Sequence, residues 1–176
     1  MTPEITISAL SPDGIARHSQ DLAVLLHACV HAGASVGFVL PHDIGESEAY
    51  WQDKVLPSAR GGKLVMLVAW CAGRIAGTVQ LDHDTMPNQP HRAEVRKLLV
   101  HPDFRRRGIA RRLMMEIEVV ARQKQRHLLT LDTRSGDSAE PLYAALGFET
   151  AGIIPGYCLD PLSPRLDATT VMYKRL

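Results

Sequence analysis

The sequence predicts a mixed α/β domain, in which a central twisted sheet of about six or seven strands carries helices on both faces. Three observations lead there. Two β-rich segments, Leu64 to Trp70 and Ile75 to His83, flank the turn Ala72-Gly73-Arg74 and so make a hairpin. A long amphipathic helix runs from Gly108 to about Lys124. One strand precedes that helix (Ala93 to Val100) and another follows it (Leu128 to Thr133), which makes a strand–helix–strand crossover.

The remaining elements fall around this frame. Glu4 to Leu10 alternates apolar and polar residues and stops at Ser11-Pro12, as a first strand does. Gly14 to His31 follows as a helix, with Leu22, Leu25, Leu26, Cys29 and Val30 at helical spacing and Gly33 as a stop. Glu46 to Ser58 is a shorter helix with Tyr50, Trp51 and Val55 as contacts, interrupted at Pro57. After the hairpin, Pro87, Asn88 and Pro90 mark a loop, and His101-Pro102 ends the next strand. In the long helix Ile109, Leu113, Ile117 and Ala121 recur every four residues, joined by Met114 and Val120, while Arg111, Arg112, Glu116 and Arg122 lie off that stripe. A short helix covers Ser138 to Leu146 and stops at Gly147, and Thr169 to Lys174 closes the sheet. Without a repeat or a linker, residues 1–176 are expected to form one domain.

Composition excludes several classes. Hydrophobic residues at 45% and charged residues at 22% give the balance of an ordinary soluble domain. A net charge of +1 supplies no general drive toward nucleic acid or an anionic membrane, so any cationic site must be local. The longest apolar run, Leu64 to Ala72, is too short to cross a bilayer. Met1 to Gly14 has neither a cationic start nor a continuous apolar run, which argues against a secretory signal. Cys29, Cys71 and Cys158 are odd in number and far apart, as reduced thiols of a cytoplasmic protein would be. A monomer or a homodimer is expected.

One segment carries chemistry. Arg105, Arg106, Arg107, Gly108, Ile109, Ala110 and Arg111 lie between a strand end and the start of the long helix. The first turn of a helix has unpaired N–H groups and partial positive charge, so it can hold a pyrophosphate. Gly108 lets the backbone approach closely, Ala110 adds little bulk, and the arginines supply local charge. The same run could be plain solvated surface. A nucleic-acid patch is a third option, but no aromatic residues interleave with the arginines. No GxxxxGK[ST] is present, so a nucleoside triphosphate site has no support.

In these residues the chain resembles the GNAT family of N-acetyltransferases. Arg105-x-x-Gly108-x-Ala110, after the strand Val95 to Val100, is similar to the family's acetyl-CoA word [QR]-x-x-G-x-[GA]. Leu142-Tyr143-x-x-x-Gly147-Phe148 resembles its downstream helix word. Three further words resemble the tabtoxin resistance branch, which acetylates a β-lactam-containing amino-acid toxin. They are His31-Ala32-Gly33-Ala34-Ser35-Val36-Gly37-Phe38, Arg92-Ala93-Glu94-Val95 and Pro155-Gly156-Tyr157-Cys158.

The resemblance implies acetyl-CoA as co-substrate and the primary amine of a small molecule as acceptor. It implies that the main chain of Leu98, Leu99 and Val100 pairs with pantetheine amides, as a sheet edge pairs with an added strand. Glu94 is then the general base that frees the amine of its proton. Tyr143 matches the tyrosine that protonates the leaving thiolate. Asp132, at the carboxyl end of Leu128 to Leu131, would hold the substrate ammonium or share the proton with Glu94. Substrate recognition falls to Ser35 and Phe38 in one loop, to Tyr157 in a loop from Pro155, and to Asp132. One departure stands out: many relatives carry Asn where this chain has Gly136. A protein N-terminal or lysine acetyltransferase is the rival in the same class, and a non-catalytic acyl-CoA-binding module the rival outside it.

Other signals are weaker. His27 and His31 share a helix face, but Cys29 points almost to the opposite side, so no metal site is expected there. Asp82-His83-Asp84 is metal-like in composition, yet solvation or the lining of the acceptor cleft explains it better. Cys158 has no histidine placed to activate it.

Overall fold

The computed structural model describes residues 4–176; of the N-terminal stretch discussed above, Met1 to Pro3 lie outside the described residues. A seven-stranded sheet forms the centre, in the order β1-β2-β3-β4-β5-β7-β6. Its strands are β1 (Ile5–Leu10), β2 (Leu64–Cys71), β3 (Arg74–Asp82), β4 (Arg92–Val100), β5 (Leu128–Arg134), β6 (Glu149–Leu159) and β7 (Leu166–Arg175). All neighbours are antiparallel except β4 and β5, the pair joined by the crossover helix.

That helix, α5 (Ile109–Gln123), buries Ile109, Leu113, Met114, Ile117 and Ala121 against one sheet face, the stripe expected from their spacing. Each large aliphatic side chain so buried contributes about 2 kcal/mol. Gly77 on β3 sets how closely α5 approaches: a Cβ there would lie 2.6 Å from the Leu99 carbonyl oxygen and 3.2 Å from Ile109. α6 (Ala139–Ala145) joins the same face through Tyr143, which packs with Phe148 in that core.

The opposite face is covered by α1 (Pro12–Arg17), α2 (Ser19–His31), α3 (Ile44–Tyr50) and α4 (Leu56–Arg60), packed on Leu64, Met66, Val68, Ile75 and Leu99. Two expectations change here. The helix expected over Gly14 to His31 breaks at His18, whose ψ of 20° interrupts the regular turn. The second helix starts earlier, because Asp43 and Glu46 form a reciprocal capping box. It also passes Pro57 without interruption. A π turn at Trp51–Val55 shifts the hydrogen-bond register, so Pro57 falls in the first turn of α4, where its missing N–H costs nothing.

The largest correction concerns β6. Sequence patterning left the segment after Gly147 without a strand and placed a loop at Pro155 to Tyr157. Both belong to one edge strand, whose pairing with β7 is irregular between Ile154 and Cys158. Nearly every β6 residue is exposed, so the alternation that marks a half-buried strand is missing. β7 is likewise longer than the expected Thr169 to Lys174.

Two irregularities in the middle of the sheet create the site. β4 pairs with β5 only from Arg92↔Leu128 to Glu94↔Thr130, and the strands then diverge. Just beyond, β4 bulges at Lys97, where φ is +49°, and its register against β3 jumps from Gln80↔Arg96 to Thr78↔Leu99. Buried Thr78 donates from Oγ1 to the Lys97 carbonyl oxygen at 3.1 Å and so braces the bulge.

Candidate active site

Two clefts meet where β4 and β5 part. The first, of ≈ 590 Å³, runs along the free edge of Leu98, Leu99 and Val100 to the start of α5. Gly108, Ile109, Ala110 and Arg111 line it, with Arg105 and Arg106 beside them. Arg106 and Gly108 both have positive φ, +64° and +75°, which turns the chain sharply into the helix. No side chain caps this first helical turn, and a Cβ on Gly108 would meet nothing within 4 Å. Such a turn suits a pyrophosphate.

Arg107 does not line this cleft. It donates from Nη2 to the Asp103 carbonyl oxygen at 3.1 Å and lays its guanidinium 5.3 Å from the centroid of Phe104. On the cleft floor, buried Cys29 donates to the Val100 carbonyl oxygen at 3.5 Å. Burial pushes its thiol up to about 11, against the pull of the Arg105 charge.

The second cleft, of ≈ 420 Å³, opens from the first across Ala34, Leu98 and Ala139. Glu94, Asp132 and Tyr143 all line it, together with Ser35 and Tyr157. Strand parity explains the carboxylates. Ala93, Val95, Leu129 and Leu131 are buried on the α5 side, which sends Glu94 and Asp132 to the other face. Glu94 is opposite Thr130, the last paired position, and Asp132 is two residues further along the same face. Asp132 accepts from Thr169 Oγ1 at 3.0 Å. Tyr143 belongs to the core on the α5 side, yet it reaches this pocket through the gap between the strands. Burial pushes its phenol pKa well up, and the negative charges of Asp132 and Asp137 add to the effect.

Phe38 stands apart from this group. Its ring packs 4.7 Å from His42 and 5.5 Å from Tyr50, behind the pocket wall. Ser35 is in place, with Oγ 3.4 Å from Cys158 Sγ. His27 and His31 stack at 4.0 Å, while Cys29 faces Val100 and the sheet. Among the described residues no three histidine, cysteine or carboxylate side chains are arranged to hold one metal ion. Asp82 and Asp84 pair with Arg96 and Lys63 at 2.8 and 3.0 Å.

Two residues escaped the sequence reading. Arg134 donates to the Gly33 carbonyl oxygen at 3.1 Å and pairs with Asp137 at 3.2 Å, tying the loop after α2 to β5 across both clefts. Its place directly after the expected strand, Leu128 to Thr133, was the available signal. Lys97 lines the acceptor pocket from the bulge, and nothing in its neighbours forecasts a positive φ.

Known proteins resemble this chain in sequence and in fold. Residues 27–148 fit the model of the acetyltransferase (GNAT) family. The chain is 32% identical over 123 residues to an uncharacterized N-acetyltransferase from the hisH–hisA intergenic region of Azospirillum brasilense, covering 69% of this chain and 71% of that one. A ribosomal-protein-alanine N-acetyltransferase from Brucella melitensis superposes with a TM-score of 0.76 at 20% identity, covering 97% of this chain and 99% of that one. A Salmonella typhimurium protein solved with its cofactor acetyl-CoA also gives 0.76, at 19% identity over 98% and 94% of the two chains. No helix among the described residues is long and apolar enough to cross a membrane. The chain belongs to the GNAT acetyltransferase family and is an acyltransferase that draws its acetyl group from acetyl-CoA.

Proposed function

We propose that this chain transfers acetyl from acetyl-CoA directly to the primary amine of a small molecule, an amino-acid-like toxin or antibiotic, in the cytosol. One observation carries the reading: Glu94, Asp132 and Tyr143 face a single pocket that opens into the cofactor cleft. Its volume suits a small molecule. The three cysteines remain thiols, in keeping with a reducing compartment.

The first turn of α5 would hold the pyrophosphate of acetyl-CoA and the main chain of Leu98 to Val100 its pantetheine, which would bring the thioester to the gap between β4 and β5. Glu94 takes the proton of the acceptor ammonium, directly or through water, and Asp132 holds the nitrogen. The neutral amine attacks the thioester carbonyl; as the N–C bond forms, the nitrogen gives its second proton to Asp132 or to water, the C–S bond breaks, and the electron pair leaves on sulfur. Tyr143 meets that thiolate. A phenol held so far above its ordinary range keeps its proton, all the more beside a negative charge, and so serves the thiolate as a hydrogen-bond donor.

An amine panel read by release of free CoA thiol tests the activity, and Glu94→Gln tests the mechanism. The substitution should lower kcat by about 10²-fold or more, with acetyl-CoA affinity unchanged. An unaltered rate at neutral pH removes Glu94 from the proton path. Turnover of polypeptide amines alone transfers the reading to a protein acetyltransferase.

A further inference from the structure

Three cations line the acceptor pocket, and they are not equivalent. Arg96 pairs with Asp82 at 2.8 Å, and Arg134 pairs with Asp137 and Asp167 at 3.2 and 3.7 Å. Lys97, among the described residues, has no carboxylate within ion-pairing distance. The bulge sends its side chain inward: Nζ lies 5.3 Å from the centroid of Tyr50 and 3.8 Å from where a Cβ on Gly37 would be. Contact with an aromatic face offsets only part of the loss of water around a half-buried ammonium. Burial, reinforced by Arg96, lowers the Lys97 pKa to about 8, while Asp132 and Glu94 pull it the other way. Those two carboxylates thus share the pocket with Lys97 without touching it. The pocket thus holds fixed charge of both signs, with Lys97 joined to neither carboxylate, and such a field orients a dipolar guest.

Building on the proposed transferase, we infer that the acceptor is zwitterionic, an amine with a carboxylate a few bonds away, and that Lys97 receives the carboxylate while the amine faces Glu94 and Asp132. Lys97 is then a specificity residue. It separates free amino acids and their analogues from peptide N-termini and lysine side chains, which have no carboxylate so near the amine. It also fixes which end of the molecule points to the thioester. A guest that meets Lys97 with its carboxylate and Glu94 and Asp132 with its amine leaves neither charge unpaired, whereas a neutral amide leaves Lys97 as it stands.

The test pairs each L-α-amino acid of a panel with its carboxamide, for the wild type and for Lys97→Met. The wild type should favour the acid, and the acid-to-amide ratio of kcat/KM should fall by about 10²-fold in the variant, the scale for losing one partner of a desolvated charge pair. The change should appear in the acceptor KM, with the KM for acetyl-CoA unmoved. A second readout needs no turnover: calorimetry of N-acetyl-amino acids against the protein–CoA complex should show binding that Lys97→Met weakens by a similar factor. Equal wild-type rates on acids and amides, or a variant that loses kcat on both alike, overturns the assignment while leaving the transferase intact. Acetyl-CoA binding with no amine of either kind acetylated overturns both.

Discussion

The two clefts that meet between β4 and β5 are made of different material. The cofactor cleft is built around a strand edge followed by a helix start, and about half of its lining comes from the single segment Leu98 to Arg111. The acceptor pocket is side chains, gathered from the loop after α2, from β4, β5 and α6, and from β6 and β7. A main-chain site depends on conformation, which a few small residues at fixed spacing announce. A side-chain site depends on which distant segments the fold brings together, and no local word announces that.

Substitutions can separate the two. Gly108→Val should have the largest effect. A β-branched residue at φ +75° is strained by about 1–2 kcal/mol, and its side chain enters the space facing the helix start. We expect the acetyl-CoA dissociation constant to rise about 10²-fold by titration calorimetry, with the acceptor KM at saturating cofactor nearly constant. An equal loss in both would mean that the clefts are coupled through the loop.

Gly77→Ala comes next. Its Cβ would stand 2.6 Å from the Leu99 carbonyl oxygen, so β3 and β4 must part or α5 must lift. Overpacking of this kind costs about 2 kcal/mol, or a fall of about 4–8 °C in Tm, with weaker cofactor binding alongside because Leu99 lies on the cofactor edge. An unchanged Tm would show that the strands have slack.

The smallest effect on stability is expected from Lys97→Met, and with the opposite sign. Folding lowers the Lys97 pKa from 10.5 to about 8, chiefly by burial. The folded chain therefore carries a disfavoured proton at every pH below about 8. That penalty fades as pH rises from 8 and is gone above 10.5, so the variant should be more stable by on the order of 1–2 kcal/mol at pH 7 and equal to wild type at high pH. A variant that loses stability at neutral pH would mean that Lys97 is held by contacts stronger than its desolvation.

What the sequence disclosed follows the same division. The stripe Ile109, Leu113, Ile117, Ala121 was plain because one helix face is wholly buried. The hairpin and the crossover were plain because their strands are buried on at least one side. β6 escaped because burial is what writes alternation into a strand, and β6 has almost none. Arg107 belongs by charge to its run of arginines, but a carbonyl oxygen and an aromatic ring turn it aside, and neither is visible in the run itself. Phe38 looked like a pocket wall by its place in a word; His42 and Tyr50, which claim its ring, come from outside that word. Lys97 was hidden twice, by an ordinary side chain and by a backbone bend that no glycine marks.

The ladder between β4 and β5 is three residue pairs long, so the sheet is nearly two sheets. On the proposed reading, pantetheine lies along the open edge and completes it, which makes the co-substrate a temporary element of secondary structure. Free acetyl-CoA at a hundredfold excess over its dissociation constant would then add about 2.7 kcal/mol to folding stability. When the pool of acetyl-CoA falls, that support goes with it. The lifetime of the protein in a cell would then follow the supply of the molecule it consumes, so that starved cells hold less of the enzyme as well as less of its substrate.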